Sequence, residues 1–144
     1  MAEISGSFTG RATVQTSVVV PDTDNHELGL AEVEGQQKCS DPLWADTRIT
    51  YWGTADLVGG NGPQGGYWIN RHANGETDWG TFQGKIATSG GQATMEGTYK
   101  WTGGTGKFKG ISGGGKYKGR FTSPAEVIND WDGEYQLASA KAAG

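Results

Sequence analysis

The sequence predicts an all-β fold, a single closed antiparallel β-barrel of about eight strands occupying residues 1–144 as one domain. Three observations predict it. Apolar and polar residues alternate with period two through eight segments, the signature of strands with one covered face. The 144 residues include 26 glycines but only four prolines, in no triplet repeat, which suits many tight turns and excludes collagen. No window carries an apolar stripe at helical spacing. A sheet of eight hairpin-linked strands removes its exposed edges by closing on itself.

Residues 1–10 read as a lead-in or short first strand, with Phe8 set between Gly6 and Gly10. The segment 12–20 follows, with Ala12, Val14, Thr16, Val18 and Val20 on one face. Pro21, Asp22, Asp24 and Asn25 make a turn. A second strand, 28–38, ends before the Asp41-Pro42 break. The clearest strand is 47–58: Thr47, Ile49, Tyr51, Gly53, Ala55 and Leu57 share one side, and Arg48, Thr50, Trp52, Thr54 and Asp56 the other. Gly59–Gly66 (GGNGPQGG) is expected to be a flexible connection. The short strand 67–73 closes at Asn74-Gly75, a pair favoured in type I′ turns. Segments 78–88 and 93–101 form a hairpin around Ser89-Gly90-Gly91-Gln92. Segments 115–121 and 129–137 complete the set, and residues 138–144 are expected to be a frayed tail.

Charge and composition limit what the chain does. Hydrophobic residues make up only 34%, but six Trp, five Tyr and four Phe supply large buried areas. The net charge of −4 gives no reason to expect nucleic acid or a membrane as partner. The single Cys39 allows no intrachain disulfide, and there is no apolar run of membrane-spanning length. The N-terminal MAEISGSF lacks a charged start followed by an apolar run, so no signal peptide is visible; location stays open.

The most conspicuous stretch is Gly97–Phe121. It carries six Lys and Arg and no acid, which leaves −10 on the rest of the chain. Its triplets Tyr99-Lys100-Trp101, Lys107-Phe108-Lys109 and Lys116-Tyr117-Lys118 suggest a base-stacking platform for single-stranded nucleic acid. Period two, however, sends the strand aromatics to one face and the lysines to the other. The phosphate-loop pattern fails as well: the glycine it needs before Gly106-Lys107 is Trp101, and Phe108 replaces the Ser or Thr. Gly103, Gly104 and Gly106 then allow a tight reversal at a strand end, with Phe108 placed to plug a barrel mouth or cover the core. Gly113-Gly114-Gly115 lets the backbone re-enter the sheet.

This run, Gly103-Gly104-Thr105-Gly106-Lys107-Phe108-Lys109-Gly110-Ile111-Ser112-Gly113, resembles the GGTGxFxGxxG turn of the allene oxide cyclase and dirigent-like barrels. Trp131-Asp132-Gly133-Glu134-Tyr135 is similar to the closing strand of small bacterial members of that group. The resemblance implies an allene-oxide-cyclase-like or calycin-like barrel. It also implies a lumen that steers a reactive intermediate by shape, with no cofactor, and a tendency to form homo-oligomers. It carries over no catalytic residue, because no family motif containing one matches here.

The candidate ligand-binding residues come from strand faces that mix aromatic, polar and charged side chains. Arg48, Trp52 and Asp56 share one face of the long strand, Trp68, Asn70 and His72 share another, and Glu32 and Glu34 share a third. A carboxylate facing the lumen would be desolvated and its pKa raised, as proton transfer requires. On the long strand the Ile49 and Tyr51 side competes with the Trp52 side for the lumen. His26 and His72 have no metal-ligand spacing and Cys39 has no second cysteine, so no metal is expected. The expected function is binding of a small apolar or aromatic molecule in the lumen, with a cyclase or isomerase activity as its catalytic form. Carbohydrate binding through tryptophan stacking, or a general interaction domain, is the alternative.

Overall fold

The computed structural model describes residues 1–138, so the tail expected at 138–144 lies, from 139 onward, outside the described residues. Eight antiparallel strands close into a barrel in which each pairs with its sequence neighbours and the last pairs with the first. They are β1 (Ala2–Val19), β2 (His26–Cys39), β3 (Arg48–Val58), β4 (Gly62–Arg71), β5 (Thr77–Ser89), β6 (Gln92–Gly104), β7 (Ser112–Ser123) and β8 (Glu126–Gln136).

Two departures from the sequence reading have one cause, close backbone approach at glycine. The lead-in and the 12–20 segment are one continuous strand, and glycine is needed inside it: a Cβ on Gly6 would sit 2.4 Å from the Trp131 ring and one on Gly10 2.7 Å from Val33. Likewise Gly62–Gly66 is not a flexible connection but the first half of β4. A Cβ on Gly66 would lie 1.8 Å from the Trp52 carbonyl oxygen, so glycine is needed inside this strand. Only Gly59 to Asn61 make the turn.

The turns also differ. Gly90 and Gly91 both have positive φ, 59° and 78°, and Ser89 pairs with Gln92; this is the two-residue type I′ hairpin. At Asn74-Gly75 only Gly75 is left-handed, at φ 90°. The Gly75 amide donates to the His72 carbonyl and the His72 amide to that of Glu76, a three-residue loop with glycine at its left-handed end.

A bulge between Ala12 and Val14 splits the face expected for 12–20. Ala12 stays inward, while Val14 falls opposite Glu32, on the face that Val33 does not share. One extra residue flips every later side chain to the other side. The fault lies in reading an unbroken alternation.

One end of the barrel is sealed by two 3-10 turns. Pro42–Trp44 follows Asp41, whose carboxylate accepts from the Leu43 amide at 2.9 Å, with proline at the first helical position. Gly106–Phe108 forms the second, and Gly106 takes a positive φ of 58°. The Trp44 and Phe108 side chains are both completely buried, their ring centroids 5.1 Å apart. His72 stacks on Phe108 at 4.4 Å, and Tyr135 meets Trp44 edge-on at 4.9 Å. Phe108 thus plugs a barrel end, as the sequence suggests; its larger partner Trp44 was not singled out.

Deleting a fully buried phenyl ring from such a plug removes transfer energy and leaves a void. Phe108→Ala is expected to lower unfolding stability by about 3–5 kcal/mol. Urea denaturation checks this, and a loss below about 1 kcal/mol would show that the plug is dispensable.

Candidate functional site

Inward-facing residues of all strands but one half of β1 surround a cavity of about 70 Å³ above the plug. By the volume one water needs, this space holds about five waters. Its wall is aromatic: Phe8, Tyr51, Trp68, Phe82, Tyr99, Trp101, Tyr117 and Trp131 all contribute. The remaining lining residues are Gln37, Ile49, Gln64, Asn70, Met95 and Asn129, so none of the lining side chains carries a charge. The rings meet edge to face, as with Tyr51 and Phe82 at 5.7 Å and Trp68 and Trp101 at 5.7 Å, which holds the wall in one arrangement.

Beneath the cavity lies a fully saturated polar cluster. The Asp78 side chain is completely buried, and its carboxylate accepts four side-chain hydrogen bonds. Trp44 Nε1 donates at 3.1 Å, Trp101 Nε1 at 2.8 Å and Asn70 Nδ2 at 3.0 Å, and His72 Nε2 lies 2.6 Å away. Thr47 reaches the other nitrogen of His72 at 3.3 Å. Gln37 extends the chain, donating to Asn70 and accepting from Trp131 Nε1 at 3.0 Å. Every acceptor site on Asp78 is in use, so this carboxylate is a structural anchor.

The polar atoms higher in the cavity are in the opposite condition. Gln64 Oε1, Tyr99 Oη, Tyr117 Oη and Asn129 Oδ1 are buried with no hydrogen-bond partner among the described residues. All four residues line the cavity, and they stand on four different strands. Leaving a buried polar atom unpaired costs about 1–3 kcal/mol. Burial pushes the Tyr99 and Tyr117 phenols well above their usual pKa; both therefore remain protonated donors at any ordinary pH.

Three of the sequence candidates face the interior: Trp68 and Asn70 line the cavity, and His72 lies below it in the Asp78 cluster. The other five do not, which corrects the lumen expectation for them. Ile49 and Tyr51 take the lumen side of β3, which turns Arg48, Trp52 and Asp56 outward. Val33 is the buried residue of its neighbourhood on β2, so Glu32 and Glu34 also point out. Glu32 accepts from Thr13 Oγ1 at 2.7 Å and Trp52 Nε1 at 2.8 Å. These bonds, Thr13 first, hold its carboxyl below the usual range, the reverse of a desolvated lumen acid. Asp56 lies 2.5 Å from His26 Nε2, with Asp22 2.5 Å from Nδ1. The sequence reading missed Gln64, Tyr99, Tyr117 and Asn129. The alternation placed Tyr99 and Tyr117 inward, but nothing local separates a lumen-lining tyrosine from one buried in the plug.

At the open end, a larger apolar mouth of about 370 Å³ is lined by residues including Val33, Leu57, Ile86, Phe121 and Val127, and shares Tyr51, Gln64 and Met95 with the cavity. It is the entrance. No protein-family model matches the chain, and no curated protein matches it. Fold and site define a closed eight-stranded barrel with an uncharged, mostly aromatic cavity.

Asp78→Asn replaces one accepting oxygen by a donor facing other donors. Its expected cost is about 1–3 kcal/mol for each donor left without an acceptor, read as a fall in the urea midpoint; an unchanged midpoint would remove Asp78 as the anchor. The His26 bridge gives a pH effect. Asp22 and Asp56, the former first, raise the His26 pKa, and His26 lowers that of Asp22. The tie across the β1–β2 turn is therefore lost as pH rises through the raised imidazole pKa, and lost again as pH falls through the lowered carboxyl. NMR titration of His26 should give a midpoint above about 6.5 that returns toward that value in Asp22→Asn.

Proposed function

We propose that the protein binds a small, neutral, aromatic molecule in the barrel lumen, and that its polar groups pair with Gln64, Tyr99, Tyr117 and Asn129. The observation that carries this reading is the set of four unpartnered polar atoms, on four strands, in a mostly apolar and uncharged wall. Specific pockets are mostly apolar with a few placed polar groups. A charged ligand would lose its hydration and meet no counter-charge there. An aromatic ring would stack within the wall and offer groups to two amides and two phenols.

A second reading makes the same lumen a cofactor-independent cyclase or isomerase. It is supported by the Gly103–Gly113 turn, which resembles that of the allene oxide cyclase and dirigent-like barrels, and by Trp131–Tyr135, which is similar to the closing strand of small bacterial members of that group. We propose membership of that group on this resemblance. In such a site the walls fold the substrate, and Tyr99 or Tyr117 stabilises a developing oxyanion by hydrogen bonding. Their raised pKa values argue against either phenol serving as a base.

The alternative readings gain no support. Trp44, Trp68 and Trp101 are buried, and on the outer face Trp52 and Trp79 are half-buried, so a sugar-stacking surface would have only these two partly covered rings to build on. Trp101, Phe108 and Tyr117 are buried while Lys100, Lys107, Lys109, Lys116 and Lys118 point to solvent, which breaks up the base-stacking platform.

Titration with 2-naphthol, followed by tryptophan fluorescence and calorimetry, tests the binding reading, with 2-naphthoate as the charged counterpart. The phenol is expected to bind with one-to-one stoichiometry and the carboxylate at least about tenfold more weakly, a difference of about 1.4 kcal/mol. Equal affinities would overturn the neutral-ligand assignment. Tyr117→Phe separates ligand from architecture. Removing the unpartnered hydroxyl should leave the free protein as stable or stabilise it by up to about 1 kcal/mol, while naphthol binding weakens. A destabilised variant with unchanged binding would assign the hydroxyl a structural role.

A further inference from the structure

Among the described residues, one strand edge of the barrel is left open, independently of what the lumen holds. Pairing of β1 with β8 ends at Arg11 and Glu126. The β7–β8 turn then adds only the Ala12 amide to the Ala125 carbonyl, at 2.8 Å, and the Gln15 side chain to the Pro124 carbonyl, at 2.8 Å. β1 nevertheless runs on to Val19, held by β2 through the pair of Val19 with Glu27. From Thr13 to Val19, about 23 Å of strand, no strand among the described residues pairs with β1 on the side away from β2. Every residue of that segment is exposed, including Val14 at 50%, Val18 at 66% and Val19 at 67%.

The backbone orientation of this edge follows from the register. The Val20 amide donates to the His26 carbonyl at 2.9 Å, and Val18 lies opposite Leu28. In an antiparallel ladder the bonded residues alternate. Val14, Thr16 and Val18 therefore bond to β2, and Gln15, Ser17 and Val19 direct their N–H and C=O groups out from the edge. Edges of this kind are normally guarded by lysine, proline or a bulge. Here the bulge sits at the base, between Ala12 and Val14, and no charged residue or proline occurs from Ala12 to Val20.

We propose that this edge pairs with the same edge of a second copy of the chain, antiparallel across a two-fold axis at Ser17. A row of main-chain donors and acceptors is recognised by another extended strand, and the side chains favour a copy of itself. The chain carries −4 overall, yet this segment is uncharged, so self-pairing sets no like charges opposite one another. With Ser17 opposite its mate, Gln15 faces Val19, and on the outer face Thr16 faces Val18 and Val14 faces Val20. These are β-branched and small polar pairs suited to a sheet. The charges flanking the segment are Arg11 and Asp22. Antiparallel pairing brings Arg11 of one copy within one position of Asp22 of the other. An acidic or a basic partner strand would find no complementary charge along the edge. The assembly is isologous, each copy presenting the same surface.

Sedimentation equilibrium from micromolar to millimolar protein tests the proposal. The wild-type chain is expected to be a monomer–dimer mixture, and Ser17→Pro, which deletes the central outward amide, should raise the dimer dissociation constant at least about tenfold. Val18→Lys places a charge on the edge without touching the backbone and should do the same in a protein whose melting curve is intact. In a Cys39→Ser background, Ser17→Cys should oxidise to a covalent dimer, whereas Thr54→Cys, on the outer face of β3, should not. Hydrogen exchange should show the Gln15, Ser17 and Val19 amides slowing as concentration rises. A wild-type chain monomeric throughout, or a folded Ser17→Pro variant that dimerises like wild type, overturns the proposal. Cross-linking through Thr54→Cys but not Ser17→Cys would place any dimer on the barrel face and overturn it equally.

Discussion

The Asp78 carboxylate holds the closed end of the barrel together. It lies on β5 and receives hydrogen bonds from Asn70 and His72 at the end of β4, from Trp101 on β6 and from Trp44 in the Pro42–Trp44 turn. A buried anion without such partners would be intolerable in an apolar interior. With four donors it fixes the orientation of two indoles and an imidazole, and those rings are the floor on which the cavity rests. The plug follows from the same point, because Trp44 and His72 carry Phe108 between them.

Above that floor, space is set by an exchange between glycines and rings on neighbouring strands. The Tyr117 hydroxyl lies over Gly84 and Gly97, where added Cβ atoms would come within 2.5 Å and 2.7 Å of it, and the Tyr99 hydroxyl lies over Gly133 at 2.7 Å. The glycines admit rings too large for an ordinary barrel interior, and the rings cover backbone that would otherwise be bare. The wall becomes mostly aromatic and stays neutral. Its few unpaired polar atoms are left as the features that a ligand can satisfy. The saturated cluster below and the unpaired atoms above divide the lumen into a structural half and a half available for binding.

Much of this was legible locally. Period-two alternation located the strands of the long hairpins within a few residues, and the tyrosines and Trp101 of the basic stretch turned inward as their alternation required. The register of the long strand was not legible, because Thr50 and Trp52 look as suitable for a lumen as Ile49 and Tyr51. The two faces are distinguished only by what β2 and β4 place beside them. The Asp78 cluster was hidden for a related reason: its donors come from positions 44, 70, 72 and 101, and no spacing in one dimension brings them together. Glycines misled where they serve a crossing of chains instead of a turn, as in Gly62–Gly66.

The sequence by itself determined the class of fold, a count of about eight strands, the antiparallel order and the place of Phe108 as a residue that plugs a mouth or covers the core. These depend on period, turn chemistry and short connections, all of which are properties of adjacent residues. Tertiary structure decided which face of each strand is inside, which polar groups are satisfied and which are left open, and where the wall stops short along β1. Those outcomes depend on closure. A barrel has one inside only once its last strand meets its first, and a single bulge at Ala12–Val14 reverses the faces of everything that follows on that strand.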